Sequence, residues 1–472
     1  MSDLPEWIQR GEKAQLFPAL EESNKERRVT SIFLALLPQI PALAQEVLST
    51  LGHKLGKRAT IETYIEVNTK STKDADRPDG LIVVNTGRTV WTALIETKIG
   101  KAKLDLDQIE RYLKTAKDSK IDAVITISNK FVTRAHQSPV PASKQLLRSV
   151  NLFHWSWTYL ATVCEILRHQ NSVVDPEQAF LLNEFLRFLS HPSTGIERFS
   201  QMPQEWKEVC EIFSSDGTLK KSDPKIEAVI ACWGAEERDI CLQLSSLVGM
   251  HVTNRIERKY ASDLSARQKD QAVTLAEDHL LASTIIVPNC ASDIQICVDL
   301  RGKKTTISMT LKAPGDRKSS KARLNWLLRM LPLVQEKDLY DGKENEPSEE
   351  EKRDHKALLS EQDNIYVRAK WIGRAAPTQF KLLDLVQNPE LIQAENPDLV
   401  PTSFEVLLSK STNRRFIGRK TFVEDLETGV LCFYKLVASR LKAWQAPPPQ
   451  PIKAREDADQ SGDPVETAQE TE

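Results

Sequence analysis

The chain of 472 residues contains no uncharged apolar run that approaches the 18 or more residues needed to span a bilayer. Its first residues, MSDLPEWIQRGEKAQ, show no basic segment followed by an apolar one, so we expect no secretory signal. The sequence therefore predicts a protein that does not have a membrane as its partner.

Cysteine is scarce and scattered. The seven cysteines are odd in number and no two of them form a Cys-x-x-Cys pair, which disfavours both a disulfide framework and a zinc site. A chain of this kind fits a reducing compartment, and we expect it to be cytoplasmic.

An excess of charge of one sign is also missing. The formal net charge of -2 excludes a generally polybasic protein, but it leaves room for a local basic groove. Residues 446–472 contain PPPQP together with two basic and seven acidic residues, and we predict that they form a disordered, Pro-rich acidic tail. Without this tail, the first 445 residues carry a net charge of +3.

A phosphate-binding loop for nucleotides is not found either. The segment from Gly52 to Arg58 resembles one, but it has three residues between its glycines instead of four, and Arg58 stands where Ser or Thr is needed. We therefore expect no NTP cofactor.

The pattern of apolar residues over the first part of the chain predicts the element order α-β-β-β-α-β. A turn at Asn85-Thr86-Gly87 between two apolar runs indicates a hairpin, and the later helix indicates a crossover. The fold class is therefore α/β, with a mixed central sheet flanked by helices. The predicted segments are helix 25–37, strands 60–67, 81–84 and 89–98, helix 106–117, strands 123–128 and 149–155, and helices that begin after Ser156 and Asp175.

The second half of the chain is typical of an α+β domain. STIIVP, IQICVDL and TTISMTL are predicted strands, KARLNWLLRMLPLV is a predicted amphipathic helix, and the charged stretch 335–356 is a predicted exposed loop. A Ser-, Pro- and Gly-rich loop near residues 190–203 suggests the boundary. We predict a first domain over 1–205, a second over 206–445 and the tail over 446–472.

Polar residues in the first domain form one constellation. Asp79 stands just before the strand LIVV, while Glu96 and Lys98 are two apart at the polar end of ALIETK, so the latter two point to one face. Gln108 and Tyr112, four apart on the next helix, share one helix face. We expect all five side chains to line one cleft.

Two carboxylates in such a cleft suit Mg²⁺ or Mn²⁺, which take oxygen ligands and retain waters. A bound metal would activate water and stabilise charge on a phosphoryl oxygen, and Lys98 would assist at the same place. This chemistry is that of phosphodiester hydrolysis. The pattern [DE]-x-K by itself recurs about nine times, so its position at the end of an apolar strand after a Pro-Asp turn carries the argument. The alternative is a surface ion pair at a strand end.

Pro78-Asp79, Glu96-Thr97-Lys98 and the element order resemble the PD-(D/E)XK, or restriction-endonuclease-like, nuclease superfamily over roughly residues 20–155. Gln108-Ile-Glu-Arg-Tyr112 resembles the Q-x-x-x-Y motif of one branch of it. By this resemblance Asp79 and Glu96 would bind Mg²⁺, Lys98 would act at the attacking water, and Gln108 and Tyr112 would contact DNA or order the site. The whole chain would then be a Mg²⁺-dependent deoxyribonuclease.

The resemblance implies further residues and partners. A Glu on the first helix would be a third metal ligand, with Glu26 as the candidate and Glu22 as the runner-up; the alternative for both is a solvated helix face. No cysteine precedes Cys164, so we expect no iron–sulfur cluster. The flanking lysines are candidates for contacts with the DNA backbone, namely Lys101, Lys103 and Lys114.

Several alternatives stay open at this stage. The chain is either a nuclease of the kind found in bacterial anti-phage defence, an inactive nuclease-like scaffold that binds nucleic acid or a protein, or a nuclease directed at RNA. The second domain is a candidate for DNA engagement, partner binding or self-association, and translocation would require a separate motor or sensor protein. Two basic clusters are candidates for phosphate contacts or solvated faces, namely Arg317, Lys318, Lys321 and Arg323, and Arg414, Arg415, Arg419 and Lys420.

Overall fold

The fold contains two β-sheets with helices packed on them, so the predicted α/β class is confirmed. We analysed a computed structural model that describes residues 8–17, 24–69, 77–132, 134–260, 263–341, 346–371, 377–394, 399–411 and 413–445. The predicted acidic tail 446–472 lies outside the described residues.

The first sheet has six strands whose spatial order follows the chain. The first four strands pair antiparallel, and the fourth, fifth and sixth pair parallel to one another. The predicted hairpin is confirmed by the pairing of Asn85 with Val90. The strands are β1 (Ile8–Lys13), β2 (Thr60–Thr69), β3 (Gly80–Asn85), β4 (Val90–Thr97), β5 (Ala123–Ser128) and β6 (Asn151–Ser156).

Helices cover both faces of this sheet. Because side chains alternate along a strand, Leu94 of β4 packs toward the third helix while Ile95 packs toward the first. Each face thus has its own apolar core. The helices are α1 (Lys25–Gln39), α2 (Pro41–Ser49), α3 (Leu106–Asp118), α4 (Trp157–His169) and α5 (Pro176–Leu189).

The predicted helix starts are confirmed by their caps. Ser156 accepts a hydrogen bond from the Tyr159 amide, and Asp175 accepts one from the Gln178 amide.

The predicted end of α1 before Pro38 is wrong, since the helix continues to Gln39. Proline lacks the N–H that would bond the Leu34 carbonyl, and the Thr63 hydroxyl of β2 donates to that carbonyl instead, at 2.9 Å.

The second sheet has seven antiparallel strands in the order β12-β11-β13-β10-β9-β8-β7. Its central strands β10 and β13 pair over nine residues. The strands are β7 (Thr253–Asn254), β8 (Leu280–Ile286), β9 (Ile294–Asp299), β10 (Lys304–Lys312), β11 (Ile365–Lys370), β12 (Thr378–Lys381) and β13 (Ser403–Ser411).

A 25-residue helix, α7, connects the two halves. It packs on α4 of the first half and on neighbouring helices of the second, and its Leu242 belongs to the core of the first half. The helices of the second half are α6 (Trp206–Ser214), α7 (Pro224–Val248), α8 (Leu264–Asp278), α9 (Ser320–Leu328), α10 (Glu349–Gln362), α11 (Leu382–Gln387), α12 (Leu391–Ala394), α13 (Asn413–Ile417) and α14 (Arg419–Phe433).

Two predictions for the second half are wrong. The amphipathic helix predicted to reach residue 334 ends at Leu328, because Pro332 has no N–H to bond the Leu328 carbonyl. The stretch 335–356 is not all loop, since α10 begins within it. A capping box between Ser348 and Glu351 starts this helix, a signal that outweighs the high charge.

Along the chain, apolar side chains stop packing on the first core and begin to pack on the second shortly before residue 205, the predicted domain boundary. Ile196 packs on the first core, whereas Phe199, Met202 and Trp206 pack on the second. Among the described residues, no single helix is long and apolar enough to cross a membrane. Helices α1 and α2 meet that criterion only as a pair bent by 107°, and both contribute buried side chains to the first core.

Three carboxyl groups, those of Glu236, Asp239 and Glu427, come together where α7 packs against α14; the first two are buried and Glu427 is half-buried. Glu236 is fully buried, and neither of its carboxyl oxygens has a hydrogen-bond partner among the described residues. The Gln243 amide donates to Asp239 at 2.9 Å and to Glu427 at 2.5 Å, while Arg198 Nε lies 3.6 Å from Asp239 Oδ1. One guanidinium is not enough to balance the three carboxylates at this junction.

Burial therefore keeps two of these groups protonated. It raises the pKa of Glu236 well above its usual value, and the nearby Glu427 and Asp239 raise it further. Burial, followed by the charge of Asp239, raises the pKa of Glu427 to about 8. Because the unfolded carboxyl groups ionise at lower pH, the folded state loses stability as the pH rises from about 4.5 toward 8.

We expect Glu427→Gln to weaken this pH dependence, since a neutral amide has no proton to release. The free energy of unfolding of the variant, relative to wild type, should rise by about 1–2 kcal/mol between pH 5 and pH 8.5. Denaturant titrations at several pH values measure this, and the exposed Glu277→Gln should follow wild type. Parallel pH profiles for Glu427→Gln and wild type would contradict the assignment.

Candidate active site

The polar end of β4 brings together the carboxylates and the lysine singled out in the sequence. Gly80 pairs with Ile95 across β3 and β4, which places Asp79 opposite Glu96. Glu96 lies on the sheet face that α3 covers, and Lys98 follows directly after the strand. The hairpin therefore creates the cluster from residues far apart in the chain.

Asp79 is held in place by Thr97, the residue between Glu96 and Lys98. Its Oδ2 atom accepts hydrogen bonds from the Thr97 amide at 2.7 Å and from the Thr97 hydroxyl at 2.9 Å. The Thr30 hydroxyl of α1 lies 2.7 Å from that of Thr97. A Cβ atom at Gly80 would lie 2.5 Å from Leu34 Cδ1 and 3.1 Å from the Tyr64 carbonyl oxygen, so any larger residue would displace the Leu34 side chain of α1.

Lys98 joins three acceptors around its ammonium group. Its Nζ donates to Glu96 Oε1 at 2.5 Å, to Glu26 Oε1 at 3.2 Å and to the Thr97 carbonyl at 3.0 Å. Glu26, in the first turn of α1, also accepts from the Ile99 amide at 3.3 Å. The structure thus brings Glu26 to the cluster, while Glu22 lies outside the described residues.

Burial strongly perturbs the titration of this cluster. It raises the pKa of Asp79 to about 6, although the hydrogen bond from the Thr97 amide and the charge of Lys98 oppose the shift. It raises the pKa of Glu96 to about 8, and the Asp79 carboxylate adds to the shift. Glu96 and its neighbours raise the pKa of Lys98 despite burial, so the ammonium stays charged.

Gln108 and Tyr112 lie on the face of α3 that meets the site. The Gln108 amide donates to the Tyr112 hydroxyl at 2.9 Å, and that hydroxyl donates to the Arg77 carbonyl at 3.1 Å. Tyr112 is buried, so the pair fixes the segment that precedes Asp79. In this arrangement the two residues order the site, and a contact between them and DNA stays a prediction.

The predicted backbone-contacting lysines lie on the surface of the protein. Lys101 and Lys103 are exposed in the loop that follows β4, and Lys114 is exposed on α3. Sequence reasoning missed two ion pairs made by Glu66. Its carboxylate lies 3.1 Å from Arg77 NH1 and 3.7 Å from Arg27 Nε. Their charges gave no signal in a chain this rich in charged residues.

Two buried tryptophans and several residues of the basic clusters are held by contacts within the fold. Trp155 and Trp157 are buried, and their indole groups donate to Thr50 and to the Lys98 carbonyl. In the basic clusters, Arg323 donates to the carbonyl groups of Arg317 and Pro401. Lys321 pairs with Glu390, Arg415 pairs with Asp425, and Arg419 donates to the Met202 carbonyl. These side chains serve folding contacts.

The donor atoms at the end of β4 fit a hard divalent cation. Glu96 Oε2 is buried and has no hydrogen-bond partner among the described residues, and Asp79 carries a second carboxylate oxygen beside the one bound by Thr97. Within the described part of the chain, no three His, Cys, Asp or Glu side chains form a ready metal cluster. Two carboxylates completed by water are the ligand set that Mg²⁺ favours.

Comparison of the chain with protein-family models, curated proteins and solved structures gives no match.

We expect Mg²⁺ or Mn²⁺ to raise the melting temperature of the wild-type protein by about 2 °C or more at saturation, because a ligand that binds only the folded state stabilises it. Asp79→Asn and Glu96→Gln should lose most of this shift in differential scanning fluorimetry. Asp118→Asn, an exposed position in another Asp-x-Lys sequence, should keep it. Equal shifts in all four proteins would place the cation elsewhere.

Proposed function

We propose that this protein is a metal-dependent deoxyribonuclease that hydrolyses phosphodiester bonds and resembles the PD-(D/E)XK superfamily. The observation that carries the proposal is the meeting of Asp79, Glu96 and Lys98 at the end of β4. Asp79 directly precedes β3, Glu96 lies on β4 and Lys98 follows β4, on a mixed sheet with helices on both faces.

The two carboxylates have the first role in this proposal. Asp79 and Glu96 would hold Mg²⁺ or Mn²⁺, which, when bound, supplies an activated water and neutralises charge on the phosphoryl group. Thr97 orients Asp79 through two hydrogen bonds, so the position of one ligand is set before a cation arrives. Glu26 would be a third ligand or a partner that positions Lys98.

Lys98 has the second role. Its ammonium group remains protonated and lies within hydrogen-bond distance of Glu96 and Glu26. From this position it can orient the attacking water and stabilise negative charge that develops on the phosphate. Lys101 and Lys103, exposed in the loop that follows β4, and Lys114, exposed on α3, would bind neighbouring phosphates.

An ion pair that only stabilises the fold is the competing interpretation. Lys98 already pairs with Glu96 and Glu26 without a metal, as a structural salt bridge would. The burial of Glu96 beside Asp79 disfavours this interpretation. Removing two carboxyl groups and one ammonium from water costs more free energy than packing apolar side chains in their place.

The decisive experiment offers the purified full-length protein linear, circular and single-stranded DNA, and RNA, each with Mg²⁺ or Mn²⁺. We expect cleavage of DNA, and we expect Asp79→Asn, Glu96→Gln and Lys98→Met to lower the rate by about 100-fold or more. Asp118→Asn is the matched control and should cut like wild type.

The outcomes separate the alternatives. Undiminished cleavage by Asp79→Asn and Glu96→Gln would show that the site is wrongly assigned. Nucleic-acid binding that survives chelation, with no cleavage of any substrate, would support an inactive scaffold instead. Cleavage of RNA alone would replace the proposed substrate class.

A further inference from the structure

The end of the first sheet that lies opposite the candidate active site is surrounded by basic residues. Strand pairing fixes which segments meet there, since Thr60 pairs with Asn85, Asn85 pairs with Val90, and β4, β5 and β6 run parallel. The starts of β2, β4, β5 and β6 and the turn between β3 and β4 therefore share this end. We call it the basic end, and it consists of residues 52–59, 86–89, 117–122 and 146–150.

These four segments contain seven basic residues and two acidic ones. The segment before β2 carries three of the cations, Lys54, Lys57 and Arg58, while Arg88 lies in the turn before β4 and Arg148 precedes β6. Lys117 and Lys120 lie where α3 leads into β5. All seven side chains are exposed, and within the described part of the chain none of them forms an ion pair. Their charges are therefore available to a partner.

The two acidic residues, Asp118 and Asp122, do not cancel this charge. The Oδ2 atom of Asp122 accepts hydrogen bonds from the Thr92 amide at 2.8 Å and from the Thr92 hydroxyl at 3.1 Å, so this carboxylate is bound to the start of β4. With both acidic residues counted, the basic end has a formal net charge of +5. A local excess of this size favours an anionic partner, although the whole chain is nearly neutral.

A hollow of about 620 Å³ opens among these segments. His53, Lys117 and Lys120 line it, and so do Trp91 and Phe153, whose rings are buried. The His53 ring packs on the Trp91 ring, with 4.3 Å between the ring centres. A partner that enters the hollow therefore meets charged and polar groups, and the two aromatic rings do not offer it an open face.

The extent of the basic end favours a polymer over a small anion. Five neighbouring strands, β2 to β6, lie about 4.8 Å apart, so the cations are distributed over about 19 Å. One strand of a DNA duplex carries a phosphate about every 3.4 Å and would present about five or six phosphates over this distance. Single strands are usually held by stacking on exposed aromatic rings, so the buried rings favour a duplex.

We propose that the basic end binds the phosphate backbone of duplex DNA, as a second contact about 25 Å from the candidate active site, the length of the eight residues of β4. The choice of DNA as the polyanion rests on the proposed function, whereas the charge, exposure and extent of the surface do not. Lysine and arginine contact phosphates here and not bases, so binding is independent of sequence and weakens as salt is added.

The test measures the binding of a short fluorescent DNA duplex to the full-length protein by anisotropy, in EDTA so that no metal-dependent cleavage occurs. We expect Lys57→Glu/Arg58→Glu and Lys117→Glu/Lys120→Glu each to weaken binding about tenfold or more. Each should also lower the slope of log affinity against log salt by about two, since fewer counterions are released. The matched control is Lys220→Glu/Lys221→Glu, two exposed lysines of the second half, which should bind like wild type.

Further variants separate this contact from the candidate active site. Asp79→Asn should bind the duplex like wild type in EDTA. If the duplex binds as expected but no substrate is cleaved with Mg²⁺, the proposed function fails and the basic end stands. Loss of binding in Lys101→Glu/Lys103→Glu, with none in the two basic-end variants, would place the DNA at the candidate active site and overturn the proposal.

Competing polyanions test the choice of partner. A DNA duplex should displace the fluorescent duplex more effectively than polyglutamate of equal total charge or an RNA duplex of equal length. Equal competition by polyglutamate would make the partner an acidic polypeptide, and tighter binding of RNA would replace DNA; either result would overturn the proposal. So would the absence of duplex binding at low salt.

Discussion

The carboxyl groups of Asp79, which is half-buried, and Glu96, which is buried, repel each other at the end of β4, and much of the surrounding structure serves to hold them there. Lys98 supplies the balancing charge, the Thr97 amide and hydroxyl fix Asp79, and Tyr112 anchors the segment just before it. A region so poorly neutralised is unfavourable as packing and favourable as a binding place for a cation, because a divalent ion would relieve the repulsion.

The scaffold around this cluster depends on contacts between distant parts of the chain. Helix α1 crosses the first sheet so closely that a side chain at Gly80 would displace the side chain of Leu34. The same helix passes Pro38 without a break because Thr63 of β2 takes the place of the missing N–H. Both contacts hold α1 against β2 and β3, and so hold Glu26 near Lys98.

Helix α7 packs on both halves of the molecule and contributes acidic side chains whose charges are poorly balanced. Its buried Glu236 and Asp239 face Glu427 with one guanidinium nearby, so the junction with α14 is stable while two carboxyl groups keep their protons. The opposite side of α7 packs on α4, and a cleft lined by Arg238 lies between these two helices. Changes at either face of this helix therefore reach both sheets.

The sequence alone determined the strands and helices of the first sheet from Thr60 onward, because their periodicity and caps are local properties. It also singled out Asp79, Glu96 and Lys98, since their spacing along strands decides which face they share. It missed the edge strand β1, the capped helix within 335–356 and the support from Thr97 and Thr30. Only the tertiary structure decided those partners, the buried charges and the cleft, because burial and hydrogen bonding between distant residues exist only once the chain has folded.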